Sequence, residues 1–123
     1  MMRAIWITCF WIVLGACAPS LESPMVEAVA PSYTIKQVQE SVEAAAQERG
    51  WLVKKIKGED AYSATLDTRG HTVKVKIVYD KESIAVHYVD STNMDYDGTH
   101  IHKKYGKWVQ LLFKSFRKEL ASK

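Results

Sequence analysis

The sequence has few cysteines, few prolines and little net charge, and no apolar run in it is long enough to cross a membrane. Its 123 residues include two cysteines, Cys9 and Cys17, so the chain after residue 17 has no thiol for a disulfide or for cysteine catalysis. Basic residues outnumber acidic ones by 17 to 14, an excess too small to indicate nucleic-acid binding. Both cysteines lie near the N-terminus, where they bear on processing and not on folding.

The first seventeen residues have the pattern of an export signal. Arg3 gives a positive start, and residues 4–14 are apolar apart from Thr8, which makes a run of eleven residues against the roughly 20 that a membrane-spanning helix needs. Leu14-Gly15-Ala16-Cys17 then resembles the bacterial lipobox. That resemblance implies a signal peptide over 1–16 and a diacylglycerol thioether on Cys17. The alternative is an ordinary signal peptide that is cleaved near Ala16 or Ala18.

The segment after Cys17 predicts how the protein is held. All three prolines fall within residues 17–33, which lack apolar periodicity, so we expect a lipidated cysteine followed by a flexible tether. In the sorting rule of enterobacterial lipoproteins, an Asp directly after the lipidated cysteine retains the protein in the inner membrane. This chain has Ala18 at that position, so similarity to the rule indicates the outer membrane. The predicted location is therefore the cell envelope, with a lipid anchor in the outer membrane and the domain facing the periplasm.

The remaining chain, 34–123, predicts one α+β domain. Thr34 and Gln37 have capping-box spacing, and apolar residues follow at helical spacing until Gly50. Alternating residues then predict four strands, and a second amphipathic pattern predicts a C-terminal helix. The expected helices are 35–49 and 100–121, and the expected strands are 51–57, 61–68, 71–79 and 83–89. Short connections favour an antiparallel meander, in a two-layer sandwich of order α-β-β-β-β-α with both helices on one face.

The other sheet face is predicted to meet solvent or a partner. Alternation gives it a mixed character, with Thr65, Thr72, Lys74, Lys76, Val78, His87 and Val89. The C-terminal helix also has a basic side, formed by Lys103, Lys107, Lys114 and Lys118 and extended by Lys104, Arg117 and Lys123. Such a side could contact anionic headgroups or an acidic partner, but a solvated helix surface is the preferred interpretation.

The densest polar stretch is the candidate binding loop, between the last strand and the last helix. Its candidate ligands are Asp90, Asn93, Asp95, Asp97, His100 and His102. Asn93-x-Asp95-x-Asp97-Gly98 copies half of an EF-hand loop, but position twelve is Lys104 where a bidentate Glu is needed. We therefore predict no metal site and no cofactor, and expect Asp97 or Thr99 to cap the following helix.

The sequence contains no G-x-S-x-G motif and no other recognisable nucleophile arrangement, so we predict no enzymatic activity. Four segments occur together over roughly residues 50–115, namely Arg69-x-His71, Tyr79-Asp80, Tyr88-x-Asp90-Ser91-x-Asn93-Met94 and Ile101-His102-x-x-Tyr105-x-x-Trp108-Val109-x-x-Leu112. Together they resemble a group of small, uncharacterised proteobacterial lipoproteins. The resemblance implies an exported, anchored α+β domain and no particular activity.

The leading functional hypothesis is a membrane-anchored envelope lipoprotein whose domain is a protein-interaction or assembly module. Its expected partners are membrane lipid, through acylated Cys17, and another envelope protein, but not nucleic acid. The alternative hypothesis is a periplasmic domain that binds a ligand or metal through the 90–102 loop.

Overall fold

The computed structural model describes residues 24–95, 101 and 103–123, and shows an α+β fold with two helices and a five-stranded antiparallel sheet. In chain order the elements are β1 (Met25–Ala28), α1 (Ile35–Glu48), β2 (Leu52–Lys55), β3 (Ala61–Thr68), β4 (His71–Tyr79), β5 (Ser83–Thr92) and α2 (Lys104–Ala121). The strand order across the sheet is β1-β5-β4-β3-β2. The predicted meander therefore forms, and a further strand is added beside its last member.

Local signals fix both ends of α1. The Gln37 N–H donates to Thr34 Oγ1 at 3.1 Å and the Thr34 N–H donates to Gln37 Oε1 at 3.0 Å, which completes the predicted capping box. Gly50 follows the helix at φ 86°, and the Trp51 N–H donates to the carbonyl of Ala46. This left-handed glycine ends the helix as the sequence predicted.

Strand β1 corrects the predicted strand count from four to five. It lies within residues 17–33, the segment predicted as a tether, and it pairs with β5 from Met25↔Val86 to Ala28↔Ser83. The Val29 N–H donates to the carbonyl of Glu82, and Arg117 forms an ion pair of 2.9 Å with Glu27. Four ladder positions and one ion pair to α2 therefore hold this edge strand on the domain.

The core lies between the sheet and the two helices, which both cover the same sheet face. Alternate residues of the central strands enter it, including Val73, Val75, Ile77, Ala64 and Val86. The helices contribute buried residues at helical spacing, among them Val38, Val42, Val109, Leu112 and Phe116. The predicted apolar stripe of α2 is confirmed, except that Trp108 is only half-buried.

The second helix begins later than predicted. It starts at Lys104, Lys103 is its N-cap residue, and the Lys103 side chain makes no capping hydrogen bond. Asp97 and Thr99, the residues predicted to cap this helix, lie outside the described part of the chain. Neither described helix is long and apolar enough to span a membrane.

Candidate functional site

Two adjacent elements form a basic cleft at one end of the sandwich. The β3–β4 hairpin turn and the first two turns of α2 enclose a cleft of about 220 Å³, which we call the hairpin cleft. It is lined by Thr68, Arg69, His71, Lys104, Lys107, Trp108 and Leu111. Three basic side chains and an indole ring thus line one opening.

The hairpin turn that carries Arg69 has an unusual residue for its geometry. Thr68 and His71 pair across it, so Arg69 and Gly70 form a two-residue turn, with φ angles of 52° and 81°. Positive φ at both central residues is the type I′ pattern, in which Asn-Gly is strongly preferred. A long side chain in the left-handed region is uncommon, because its Cβ crowds the following carbonyl. Backbone strain of this kind concentrates at functional sites.

The loop after β5 supports the same hairpin. Asn93 Nδ2 donates to the Gly70 carbonyl at 3.2 Å, and His71 Nδ1 lies 2.6 Å from the Asn93 carbonyl oxygen. Because a carbonyl oxygen only accepts hydrogen bonds, His71 Nδ1 is the donor in this contact. The His71 ring also lies 6.3 Å from the Trp108 ring, centroid to centroid. The hairpin, the loop and α2 are therefore fixed to one another around the cleft.

The basic residues of α2 divide into two groups. Toward its C-terminal end, Arg117, Lys118 and Lys123 lie within ion-pair distance of Glu27, Glu48 and Glu40 on β1 and α1. Lys118 lowers the pKa of Glu48 by hydrogen bonding to its carboxylate. By contrast, neither Arg69 nor Lys107 has a carboxylate within 4 Å among the residues that the structure describes. Arg69 and Lys107 therefore bring two basic groups without a described carboxylate partner to the hairpin cleft.

The predicted binding loop is described only in part. Asp90 Oδ1 accepts from the Ser91 N–H, the Asn93 amide supports the hairpin, and Asp95 is exposed. Asp97, His100 and His102 lie outside the described residues. In the described part of the chain, no three His, Cys, Asp or Glu residues are arranged to hold a metal ion. The structure brings Asn93 to the cleft as a supporting residue and does not bring the described loop residues together as ligands.

Sequence reasoning missed the cleft because its residues come from two elements more than thirty positions apart. One local signal was present, since Arg69 stands before Gly70 in a two-residue turn where Asn is expected. A wider open depression of about 540 Å³ at the opposite end, lined by Pro31, Ile35, Asp80, Lys81 and Glu82, has no comparable convergence of like charges. Comparison of the chain with known protein families, with characterised proteins and with solved structures gives no match.

Proposed function

We propose that this chain is an exported lipoprotein, anchored through Cys17, whose domain is a non-enzymatic module that binds anionic groups in the hairpin cleft. The observation that carries the binding role is the position of Arg69 and Lys107. Both line the cleft beside Trp108, and neither has a carboxylate neighbour among the described residues. A guanidinium and an ammonium group at one opening suit a phosphate or carboxylate ligand, and the indole ring adds apolar contact.

The anchor is supported by the lipobox pattern and by where the fold begins. Strand β1 starts eight residues after Cys17, so a lipid on this cysteine keeps the domain close to the membrane surface. Two or three acyl chains anchor a protein stably, because each buried methylene contributes about 0.8 kcal/mol. A partner in the cell envelope therefore needs to present its anionic group close to the membrane surface.

Lipidation is tested by radiolabelled palmitate incorporation in the producing bacterium. We expect label on the wild-type protein and none on Cys17→Ser. Cys9→Ser is the matched control, because Cys9 lies in the predicted signal peptide and its loss leaves labelling unchanged. Label that persists in Cys17→Ser would contradict the assignment.

Anion binding is tested by titrating the mature protein in detergent micelles with inorganic phosphate at constant ionic strength. We expect saturable shifts in the NMR signals of the residue 69 amide and the Trp108 indole. In Arg69→Asn, neither signal should show a saturable shift. Lys81→Gln removes an exposed charge at the opposite end of the sheet and should change neither signal. Equal responses at the cleft and at Lys81 in the wild type would mean non-specific ion binding and refute the site.

A further inference from the structure

The direction of β1 shows which end of the domain the anchor approaches. Strand β1 starts at Met25, opposite Val86, and runs antiparallel to β5, which ends at Thr92. Thr92 pairs with Thr72, and Thr72 directly follows His71, which lines the hairpin cleft. The chain therefore enters the sheet from the end that carries the cleft.

The length of chain before β1 keeps that end near the anchor. Met25 lies eight positions after Cys17, a span of at most about 29 Å when fully extended. Along β5, the six steps from Val86 to Thr92 cover about 20 Å. A fully extended chain in the direction of β1 can thus reach at most about 9 Å past the hairpin end, so acyl chains on Cys17 would keep this end within reach of the lipid surface.

Basic and acidic residues are arranged differently at the two ends of the sheet. At the hairpin end, Arg69, Lys104 and Lys107 lie on the helix side, whereas Asp67 and Asp90 lie on the opposite sheet face, by register with Thr72 and Lys74. Asp95 is exposed in the loop beyond β5. At the other end, the turns carry Asp80, Glu82, Glu59 and Asp60 together with Lys81 and Lys57, and Glu59 also contacts Lys76, by an ion pair of 2.7 Å, and Lys55. An anionic surface attracts the helix side of the hairpin end, where basic residues are separated from the carboxylates of the opposite sheet face.

We propose that the hairpin cleft docks on anionic lipid headgroups of the membrane that holds the anchor, with Arg69 and Lys107 on lipid phosphates and Trp108 at the interface. The proposal rests on the lipidation of Cys17 and names the ligand of the cleft. Half-buried Trp108 has the apolar ring and single N–H donor that favour the boundary between headgroups and acyl chains. Half-buried Leu111 extends the apolar part of the same surface.

The experiment uses the full mature lipoprotein, reconstituted into vesicles of brominated phosphatidylcholine with or without phosphatidylglycerol. Two of the four tryptophans lie in the predicted signal peptide, and Trp51 is buried, so Trp108 is the tryptophan able to report contact with lipid. We expect stronger bromine quenching in anionic than in neutral vesicles, with reversal at high salt because exposed charges are screened. Trp51→Phe isolates the signal, and the wild-type protein provides the same comparison if this variant does not fold.

Charge variants separate docking from anchoring. Arg69→Asn with Lys107→Gln should lower the docking equilibrium constant by roughly fivefold for each charge removed. The matched control, Lys57→Gln with Lys81→Gln, removes two charges at the opposite end and should leave quenching unchanged. Equal quenching in neutral and anionic vesicles, or equal loss in both double variants, would overturn the proposal.

The two proposals fail in different ways. A mature protein whose Cys17 carries no acyl mass and does not enter vesicles refutes the anchor. A protein that is acylated and incorporated, with Trp108 open to acrylamide in anionic vesicles, refutes membrane docking and leaves the cleft to a protein partner.

Discussion

The Arg49 Nε donates a hydrogen bond of 2.5 Å to Oγ of Ser115, and this contact joins the C-terminal end of α1 to the middle of α2. Ser115 is only 1% exposed, so its hydroxyl is a buried polar group within an apolar helix face. Its partner is a charged donor, which makes the hydrogen bond stronger than one between neutral groups. The two helices are therefore fixed in register by a specific polar contact as well as by packing.

Replacing Ser115 with Ala should lower the free energy of unfolding by about 1–2 kcal/mol, because the Arg49 guanidinium loses its acceptor. Ser41 provides a matched control, since it is also buried in a helix and its Oγ has no hydrogen-bond partner among the described residues. Ser41→Ala should leave stability unchanged or raise it. Urea unfolding of both variants checks the difference, and equal losses would contradict a role for the Arg49 contact.

The elements that the sequence predicted are those with a local signal. The α1 cap needs only Thr34 and Gln37, and strands β3 and β4 follow from alternation and a two-residue turn. Strand β1 has no such signal, because its four residues are stabilised by pairing with Ser83–Val86, nearly sixty positions away. Pro24 and Pro31 also lie on either side of this strand, and such prolines are typical of a tether.

The functional site was harder to predict for the same reason. Arg69 and Lys107 look like ordinary solvated charges until the fold places the hairpin against the start of α2. The candidate loop was chosen by its density of polar residues, yet Asn93 stabilises the hairpin by hydrogen bonding to Gly70. Density of polar groups along the chain does not reveal which of them the backbone already uses.

The raised pKa of Tyr79 leads us to expect a loss of stability at alkaline pH. Burial raises its pKa from 10.0 to about 12, with smaller contributions from Tyr62 and Asp60. The unfolded chain releases the Tyr79 proton near pH 10, whereas the folded chain keeps it. The contribution of this group to the free energy of unfolding is therefore complete below pH 10 and is lost as the pH rises towards 12. Burial also raises the pKa of Tyr105 and Tyr62, which add to the same slope.

Tyr79→Phe should therefore flatten the decline in unfolding free energy between pH 10 and pH 12, measured by urea titration at each pH. At pH 7 the variant should be as stable as the wild type or more so, because the Tyr79 hydroxyl is buried without a partner among the described residues. An unchanged alkaline slope would show that Tyr79 ionises equally well in the folded protein.

The ion pair between Arg117 and Glu27 should protect β1 locally. Arg117 is 56% exposed, so Arg117→Gln should change global stability by less than about 1 kcal/mol. Hydrogen exchange should instead become faster at the Val29 amide, which donates to the Glu82 carbonyl at the end of this edge strand. Lys118→Gln removes a comparable pair with Glu48 on α1 and should leave that amide unchanged. Equal exchange in both variants would refute the local effect.

We expect Arg69 to give a lower free energy of unfolding than Asn would at the same turn position. Asn tolerates the left-handed conformation that Arg69 adopts at φ 52°, so Arg69→Asn should raise the unfolding free energy by about 0.5–1 kcal/mol. Gly70→Ala is the opposing control and should lower it by about 1 kcal/mol. A Cβ on Gly70 would lie 3.9 Å from its nearest neighbour, Asn93 Nδ2, so that loss comes from φ of 81° and not from a clash.

The Arg69→Asn variant also links stability to binding in one protein. If the strained turn persists because the guanidinium binds an anion, the variant should melt higher than the wild type and yet lose quenching of Trp108 in anionic vesicles. A variant that is both more stable and fully docked would remove Arg69 from the site. A variant that is less stable would show that the Arg69 side chain has a structural role, since an Asn-Gly turn by itself favours this hairpin.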